Sequence, residues 1–571
     1  MSQAGAYIHC HSSLSEYREL FRYERDNLLQ NEETQGQDPY ESTVYSAWRL
    51  SYDKLDAPAR SLLQICSLLH HEGISEEMFK KAALSRIDLE DLELQEEATR
   101  LLTQLGKQDS CWSSWTFKKV IKGLMSYSLI EYDDQNRTYS IHPLVHHWSG
   151  TTMEENRRDM QKLILSIIGL SVPWTFTNED YKYRRTLLKH TINSMASLKP
   201  EDIDSSIAAP IACIYFEQGQ WKEAEVLEAV VMEKRKQALG DDHLQTLTSM
   251  VNLADTYSSQ GRWKEAEALQ VVAMEKRKRV LGDDHPDTLT SMAHLAAIYR
   301  HQSRLDEAEV LEVVVLEKRK RVLGYDDPNT VTSMANLAVT YFNQGRLDDA
   351  EALEVIVLER RRVQGDDHPD TFTAMENLAV TYRHQGRLKD AEALNMAVLE
   401  KRKQVLGDDH PDTLLSMANL AYTYSNQGRL KDAEALEVAV LEKRKQVLGD
   451  DHPDTLSSMA NLACTYRDQG RLQDAEALEV VVLGKRKQGL GDDHPDTLLS
   501  MANLACTYGS QGRLKDAEAL EVVVLQKRQR VLGDDHTDTL TAMKSLARTY
   551  RRQGCLNDVE RLEVVLIEKT K

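Results

Sequence analysis

The sequence predicts an all-α protein: a right-handed α-solenoid of about nine helical hairpins of 42 residues, preceded by a small winged-helix-like domain with a short β-hairpin. Two observations predict it. A Gln-Gly pair recurs every 41 or 42 residues between Gly219 and Gly554, with Ser303 in the glycine position of one copy. All seven tryptophans precede residue 264, which distinguishes an irregular N-terminal part of the chain from a regular C-terminal part. Repeats of this length predict stacked supersecondary units.

The first half of each copy has the pattern of an amphipathic helix. In residues 406–447, Asp409 or His410 can cap the helix, and Pro411 fits its first turn. Apolar and aromatic residues follow at intervals of three and four, on one face: Met417, Leu420, Ala421 and Tyr424. Gly428 then supplies the left-handed backbone conformation that ends a helix.

A second helix is predicted from about Arg429 to Gly449. Its apolar face consists of Ala433, Leu436, Val440 and Leu441. Its last turn carries Lys443, Arg444 and Lys445, where cations favour the negative end of the helix dipole. One helical hairpin cannot bury an apolar face on each helix, whereas stacked hairpins can, so the copies predict a solenoid.

The order Leu-Ala-x-x-Tyr-x-x-Gln-Gly-x-x-x-x-Ala-Glu resembles the tetratricopeptide repeat, and LGDDHPDT before the first helix resembles the kinesin light chain type. The resemblance covers about residues 201–571. It implies a concave groove lined by the first helix of each repeat, with an asparagine that contacts the backbone of a bound peptide. The matching positions are Asn252, Asn336, Asn377, Asn419, Asn461 and Asn503; His294 and Ser545 depart from the pattern. The alternative is a polar residue on a solvated face.

Nearly identical copies differ mainly at two places on the first helix, which helical spacing puts on the same side as the asparagines. Tyr422, Asn426 and Arg467 are among these variable residues, and we predict that they contribute to peptide binding. A constant framework with varied surface residues is typical of recognition, although neutral drift at exposed sites gives the same pattern. Glu434 and Glu437, interpreted as exposed, vary less and favour recognition.

Residues 40–150 predict helices and then a hairpin that turns at Gln135-Asn136. The segments VYSAWRLSYDKL, SLLQICSLLHHEGI and YSIHPLVHHWS resemble the winged-helix part of fungal NB-ARC proteins with tetratricopeptide repeats, which are NOD-like signalling ATPases of the STAND class. The resemblance implies that residues 1–35 are a remnant of the NB-ARC helical subdomain and that His142 contacts bound nucleotide. The motif here is Ile-His-Pro without the family's aspartate, so a structural hairpin histidine is the alternative. Residues 151–200 are predicted to be a helical linker.

Composition excludes several classes of function. The net charge is −20, with no concentrated basic surface, so nucleic acid is not an expected partner. No G-x-x-x-x-G-K-[ST] loop occurs, so no nucleotide cofactor is expected for this chain. No metal motif or catalytic constellation is legible, and we predict that the protein is not an enzyme. Seven scattered cysteines without CxxC, and no long apolar run, predict a cytoplasmic protein without membrane contact.

Two functions remain. The first is the ligand- or peptide-sensing repeat region of a fungal NOD-like signalling or self-recognition protein whose P-loop is absent from this chain, with self-association through the missing nucleotide domain. The second is a free-standing adaptor like kinesin light chains, which binds peptides in its groove. Both functions predict a protein or peptide partner.

Overall fold

A computed structural model describes residues 48, 51–87, 89, 91–151, 153, 157–174 and 178–569. The chain divides into two compact units, residues 1–214 and 215–571. The predicted NB-ARC remnant at 1–35 lies outside the described residues. The all-α solenoid predicted from the repeats is confirmed.

The first unit contains mostly short helices and two small hairpins. The elements are α1 (Ala57–Cys66), α2 (Glu76–Leu84), α3 (Leu92–Leu105), β1 (Lys107–Gln108), β2 (Cys111–Trp112), α4 (Ser114–Ser126), β3 (Glu131–Asp133), β4 (Thr138–Ser140), α5 (Pro143–Thr151), α6 (Arg157–Ser171) and α7 (Asn178–Met195), followed by a 3₁₀ turn (Pro200–Asp202). The predicted hairpin at Gln135-Asn136 is confirmed by β3 and β4, which pair antiparallel with Tyr132 opposite Tyr139. Ile74 forms a further antiparallel bridge to Tyr139, before α2.

The helices after residue 150 pack into this unit. Ten residues of helix α6 are buried, including Ile164 and Ile168. From α7, Asn193 Nδ2 donates to the carbonyls of Leu68 and Leu69, at 2.8 and 2.9 Å. The loop after α1 is therefore held by side chains from residues 151–200.

The array follows as pairs of helices, named helix A and helix B, in repeats 1 to 9. The helices A are α8 (Ser205–Glu217), α10 (Leu244–Ser259), α12 (Pro286–His301), α14 (Pro328–Asn343), α16 (Pro369–His384), α18 (Pro411–Asn426), α20 (Pro453–Asp468), α22 (Pro495–Ser510) and α24 (Thr537–Gln553). The helices B are α9 (Trp221–Leu239), α11 (Trp263–Leu281), α13 (Leu305–Val322), α15 (Leu347–Gln364), α17 (Leu388–Leu406), α19 (Leu430–Leu448), α21 (Leu472–Gly489), α23 (Leu514–Val531) and α25 (Leu556–Lys569).

Local chemistry sets the ends of these helices as the sequence predicts. In repeat 6, His410 is the cap of α18: its Nδ1 accepts from the Asp412 N–H at 3.1 Å, and Pro411 opens the helix. Gly428 has φ +77°, a conformation that a side chain disfavours, and it separates the two helices. Arg429 then lies over the Tyr424 ring, 3.8 Å from its centroid, which fixes the turn between helix A and helix B.

The apolar core runs continuously from one repeat to the next. Leu316 of repeat 3, Met334 and Val357 of repeat 4, and Phe372 and Val398 of repeat 5 belong to one buried cluster. Each helix B thus packs between its own helix A and that of the following repeat. No single hairpin has a core of its own, as expected for a solenoid.

Small residues allow the helices to approach closely, and this predicts a stability effect. Ala433 of α19 is fully buried. Ala433→Leu should overpack this contact and lower the free energy of unfolding by about 1–3 kcal/mol, because close-packed interiors accommodate added methylenes poorly. Urea unfolding of the two proteins measures the difference. An unchanged midpoint would show that the helices separate freely at this point.

The array also contacts itself between repeats far apart in sequence. His494 Nε2 donates to the Ser259 carbonyl at 3.1 Å, and His536 Nε2 contacts the His301 carbonyl at 3.0 Å. Each pair is 235 residues apart, or between five and six repeats. The superhelix therefore completes a turn in this distance, and successive turns touch.

Residues that depart from the repeat pattern lie at this contact between turns. Trp221 and Trp263 occupy a position that holds leucine in repeats 3 to 9, and their rings stack on His494 and His536 at 5.8 and 6.2 Å between centroids. A Cβ on Gly219 would lie 2.8 Å from Cγ of Pro453, and a Cβ on Gly261 would lie 2.6 Å from Cγ of Pro495, so these two Gly-Pro contacts have no room for a side chain.

The third contact between turns is built differently. Ser303, at φ +59°, replaces the repeat glycine, and Thr537 replaces the proline found at this place in most repeats. Their hydroxyl oxygens are 2.9 Å apart. Two departures from the repeat pattern, 234 residues apart, thus compensate each other.

Candidate peptide-binding surface

The predicted binding residues share one face of the helices A. In α18, Asn419, Tyr422 and Asn426 follow at intervals of three and four, so they form a single stripe. Tyr422 is half exposed and Asn426 is exposed. We call this face the helix-A stripe, and it contains the asparagine position and both variable positions of every repeat.

The asparagines are placed unequally along the stripe. Asn252 and Asn461 are exposed, whereas Asn336, Asn377, Asn419 and Asn503 are partly buried. Asn419 Nδ2 donates to Glu376 Oε1 of the preceding repeat at 3.3 Å, so this amide already has a partner within the chain. The contact of these asparagines with a peptide remains a prediction.

Two variable residues have contacts within the array. The Arg383 guanidinium lies over the Tyr422 ring, 4.3 Å from its centroid. Arg467 Nη1 contacts Glu479 Oε1 at 3.3 Å and the Asn503 carbonyl at 3.4 Å. Arg467 therefore joins helix A and helix B of its own repeat and the next helix A, which the sequence did not reveal.

The interpretation of Glu434 and Glu437 as exposed is wrong. Glu437 is 6% exposed. Glu434 accepts from Gln469 Nε2 and Arg471 Nη1 of the next repeat, at 2.8 and 2.7 Å. These residues vary little because they hold neighbouring repeats together, so they are no measure of drift at exposed sites.

The basic residues that end each helix B complement the helix dipole and also contact other repeats. Arg444 is 6% exposed, and its Nη1 donates to the Asp454 carbonyl and to Ser458 Oγ of the next repeat, both at 2.9 Å. Lys443 Nζ contacts Asp409 Oδ1 at 2.7 Å. Burial lowers the pKa of Arg444 from its usual value. Its role is to satisfy polar groups between stacked repeats.

A buried glutamate recurs on helix B. In repeat 6 it is Glu437, twelve residues after Ser425, the variable residue that follows the repeat tyrosine. Burial raises the pKa of Glu228, Glu354 and Glu437 to about 7 in each case. One oxygen of each carboxyl has no hydrogen-bond partner among the described residues. A carboxyl that is only partly ionised at pH 7 is the physical consequence of desolvation without a nearby cation.

In the first unit, the predicted nucleotide contact lies at a helix start. The His142 side chain is exposed, and its Nδ1 accepts from the Leu144 N–H at 3.3 Å, before α5. Although the ring is accessible, partial desolvation lowers the pKa of His142, which favours the neutral ring that this hydrogen bond requires. The geometry accounts for a structural role, and nucleotide contact stays a prediction.

Histidines near His142 are also held by the backbone. His146 Nε2 contacts the Leu69 carbonyl at 2.8 Å, and His190 Nε2 contacts the Gly73 carbonyl at 3.1 Å. Burial lowers the pKa of both to about 4, so they are neutral at pH 7.

Within the described residues, no three His, Cys, Asp or Glu side chains are arranged to hold a metal ion. No helix in the described part of the chain is long and apolar enough to cross a membrane.

Comparison with protein families identifies the repeats. Two models described as tetratricopeptide repeat match residues 211–245, 246–287, 288–329, 330–370, 455–496 and 497–538, and residues 370–446. Together they span more than half of the chain. A domain of unknown function matches residues 50–158. No curated protein sequence matches the chain.

Several solved structures are similar. A kinesin light chain candidate from Podosopora anserina, with nearly identical tetratricopeptide-like repeats, is 27% identical over 36% of this chain and 97% of its own, with a TM-score of 0.31. A STAND protein with a tetratricopeptide repeat sensor from Pyrococcus horikoshii is 14% identical over 93% of this chain and 74% of its own, with a TM-score of 0.38. The quorum sensor NprR from B. thuringiensis is 16% identical over 63% and 99%, with a TM-score of 0.42.

Proposed function

The chain belongs to the tetratricopeptide repeat proteins, and we propose that its array is a protein–protein interaction module that holds a peptide segment on the helix-A stripe. The observation that carries this proposal is the distribution of variation. Residues that join repeats, such as Arg444 and Glu434, recur from copy to copy, whereas Tyr422 and Asn426 differ from their equivalents and are accessible to solvent.

The asparagines give this proposal a direct test. Asn419→Ala, Asn461→Ala and Asn503→Ala, combined in one variant, should weaken binding of peptides selected from a random library on the unmodified protein by at least about tenfold, because several amide hydrogen bonds are lost together. Helicity and melting temperature should change little, since these side chains are at least partly accessible. Fluorescence anisotropy measures the affinity and circular dichroism the fold.

A matched control is available on helix B. Gln404, Gln446 and Gln488 are exposed amides at one position of helix B in repeats 5, 6 and 7, and two of these repeats carry a substituted asparagine. Their triple alanine variant should bind the selected peptides as the unmodified protein does. Equal affinities for both triple variants would contradict binding at the asparagine positions, and loss of helicity in the asparagine variant would assign these residues a structural role.

At a finer level, we propose that the array is the sensing region of a NOD-like signalling protein, with the first unit as a winged helix that transmits binding to a nucleotide domain. Support comes from the order of α1, Ile74, α2, α4 and the β3–β4 hairpin, in which a short extended segment pairs with the last strand. Self-association would then proceed through the nucleotide domain. Sequencing the transcript together with the genomic region upstream tests this: an in-frame P-loop segment supports the proposal, and its absence leaves the adaptor.

The adaptor is the second candidate. The residues LGDDHPDT before the helices A of repeats 3, 6, 7 and 8, typical of the kinesin light chain type, favour it. Under this proposal the array binds a cargo peptide and a separate segment or subunit binds a motor. Co-purification of a motor heavy chain with the tagged protein would support the adaptor over the sensor.

A further inference from the structure

From repeat 3 onward, the residue directly after the repeat tyrosine is arginine in every second repeat. Repeats 3, 5, 7 and 9 carry it, whereas the other repeats carry a smaller or aromatic residue: Phe216, Ser258, Phe342, Ser425 and Gly509. The arginines are Arg300, Arg383, Arg467 and Arg551. Each of these positions lies twelve residues before the buried acid of helix B or its replacement.

Where the arginine and the acid occur in one repeat, they pair. Arg300 Nη1 contacts Glu312 Oε1, and the other oxygen of Glu312 accepts from Thr340 Oγ1 at 2.6 Å. Arg467 contacts Glu479, and Arg551 contacts Glu563. Repeat 5 has Asn395 in place of the acid, and there Arg383 turns to the Tyr422 ring.

Repeat 6 has the acid without the arginine. Glu437 is 6% exposed, and its Oε2 has no hydrogen-bond partner among the described residues. The residue in the arginine position is Ser425, which is small and partly accessible. Arg467 shows how a cation reaches this depth: its side chain enters from helix A and is 20% exposed while it contacts Glu479.

Other repeats without the arginine differ from repeat 6. In repeat 4, Phe342 occupies the position and packs edge-on against His384, 4.8 Å between centroids. In repeat 8, a Cβ on Gly509 would lie 3.6 Å from Arg552 Nη1, so a cation of the next repeat is already near. Repeat 2 combines Ser258 with the neutral Gln270, and it is the uncharged counterpart of repeat 6.

We propose that Glu437 receives the guanidinium or ammonium group of a basic residue in the bound peptide, which enters past Ser425 and takes the place that Arg467 holds beside Glu479. This inference rests on the proposed peptide binding and adds its chemistry: the partner segment carries an arginine or lysine at the register of repeat 6. The chain itself places an arginine beside the buried acid in repeats 3 and 7, and it forms an exposed pair at the same positions in repeat 9.

The surroundings of Glu437 favour a cation. On its own helix Glu434, and on the next helix A Asp468, both add negative charge and raise the pKa of Glu437. A hydrogen bond from Thr465 lowers this pKa, but by less than burial raises it. No lysine or arginine in the described part of the chain contributes to the pKa of Glu437, in contrast to Glu479, whose pKa Arg467 lowers.

Binding of a cation should therefore depend on pH. The pKa of Glu437 is raised to about 7, and a cation binds the ionised carboxylate, so binding must expel the proton at lower pH. Affinity should rise between pH 6 and pH 8, by up to about tenfold per pH unit below the pKa. Glu437→Gln should remove this dependence.

The test uses the full chain and two labelled probes: the peptide Gly-Ala-Arg-Ala-Gly-Ala and the same peptide with citrulline, the neutral isostere of arginine. Anisotropy titrations at pH 8 should show that the arginine probe binds at least about tenfold tighter. Glu437→Gln should abolish that preference. Glu442→Gln, at an exposed position of the same helix, changes the net charge equally and should preserve it.

A second pair of variants introduces an arginine of the chain itself at the position directly after the repeat tyrosine. Ser425→Arg should place a guanidinium beside Glu437, raise the melting temperature and abolish binding of the arginine probe. Ser258→Arg, which faces Gln270, should do neither.

Equal affinities for the two probes, or equal losses in the two glutamine variants, would overturn the inference. If the asparagine variant loses both probes while Glu437→Gln retains the arginine preference, peptide binding on the stripe stands and only the cation site fails. If no variant changes the binding of either probe, both proposals fail.

Discussion

Replacing Arg402 by methionine is expected to lower the free energy of unfolding by about 3–5 kcal/mol, because the substitution leaves a buried carboxylate without its cation. Arg402 Nη1 contacts Glu376 Oε1 at 2.9 Å, and the two side chains are 4% and 8% exposed. Glu376 also accepts from Ser416 Oγ at 2.9 Å. Within the described residues this is the most deeply buried ion pair of the array.

Denaturant unfolding followed by circular dichroism measures this effect, and the neighbouring repeat supplies its control. Repeat 6 has Ala418 where repeat 5 has Glu376, and there Arg444 is satisfied by a carbonyl and a serine hydroxyl alone. Glu376→Ala recreates that arrangement and should cost less than about 1.5 kcal/mol. Equal losses in Arg402→Met and Glu376→Ala would show that packing, not the unpaired carboxylate, sets the cost.

The pH dependence of the Arg402→Met defect follows from the carboxyl group. Burial raises the pKa of Glu376, while Arg402 and hydrogen bonds from Ser416 and Asn419 lower it, so loss of Arg402 raises this pKa further. The folded variant then binds a proton more tightly than the unfolded chain. Its stability falls as pH rises through the folded pKa, and the defect should be smaller at pH 5 than at pH 8.

Thr537→Pro is expected to destabilise the array by about 1–3 kcal/mol, although proline stands at this position in most of the other repeats. The reason lies 234 residues away, where the Ser303 hydroxyl contacts Thr537. A proline would lose this hydrogen bond and press on the Ser303 side chain, as a Cβ on Gly219 would press on Pro453.

A double-mutant cycle isolates the contact between turns. Ser303→Gly combined with Thr537→Pro restores the Gly-Pro pair of the other contacts and should recover the stability lost by Thr537→Pro alone. Urea unfolding of the four proteins gives the coupling energy. If the two substitutions add within about 0.5 kcal/mol, the turns do not touch in solution.

The repeat architecture could be predicted because its signals are local. The glycine that ends helix A, the histidine or aspartate before helix A, and the spacing of Met417, Leu420 and Tyr424 each depend on residues within one hairpin. The same applies to the hairpin at Gln135-Asn136, which a polar turn between two short apolar stretches predicts. These elements match the structure because no distant contact opposes the local preference.

Charged residues that are buried between repeats could not be predicted from the pattern of a single copy. Glu437 is expected to be exposed because charged side chains mostly lie at the surface, and Arg444 is expected only to complement the helix dipole. A signal was present: the position of Arg444 is arginine in repeats 1 to 8, and a serine or alanine recurs at the position of Ser458 in the repeat that follows each of them. Recognising it requires pairing residues across copies, which helical periodicity within one copy does not do.

The candidate site was predicted in position but not in its contacts. Helical spacing was enough to place Asn419, Tyr422 and Asn426 on one stripe. It gave no indication that Arg467 contacts Glu479 or that Asn419 contacts Glu376, since these distances depend on how helix B and the preceding repeat pack.

The contact between turns also bears on how such a gene can change. Nearly identical repeats favour unequal recombination, which adds or removes whole copies. An extra copy inserted between Ser303 and Thr537 would shift the later repeats by one unit, so that Ser303 would meet a proline and the two tryptophans would face different partners. The distance of 235 residues therefore fixes the number of copies within one turn, while copies added beyond Thr537 disturb none of these pairs. Variation in array length among related genes is expected to concentrate at that end.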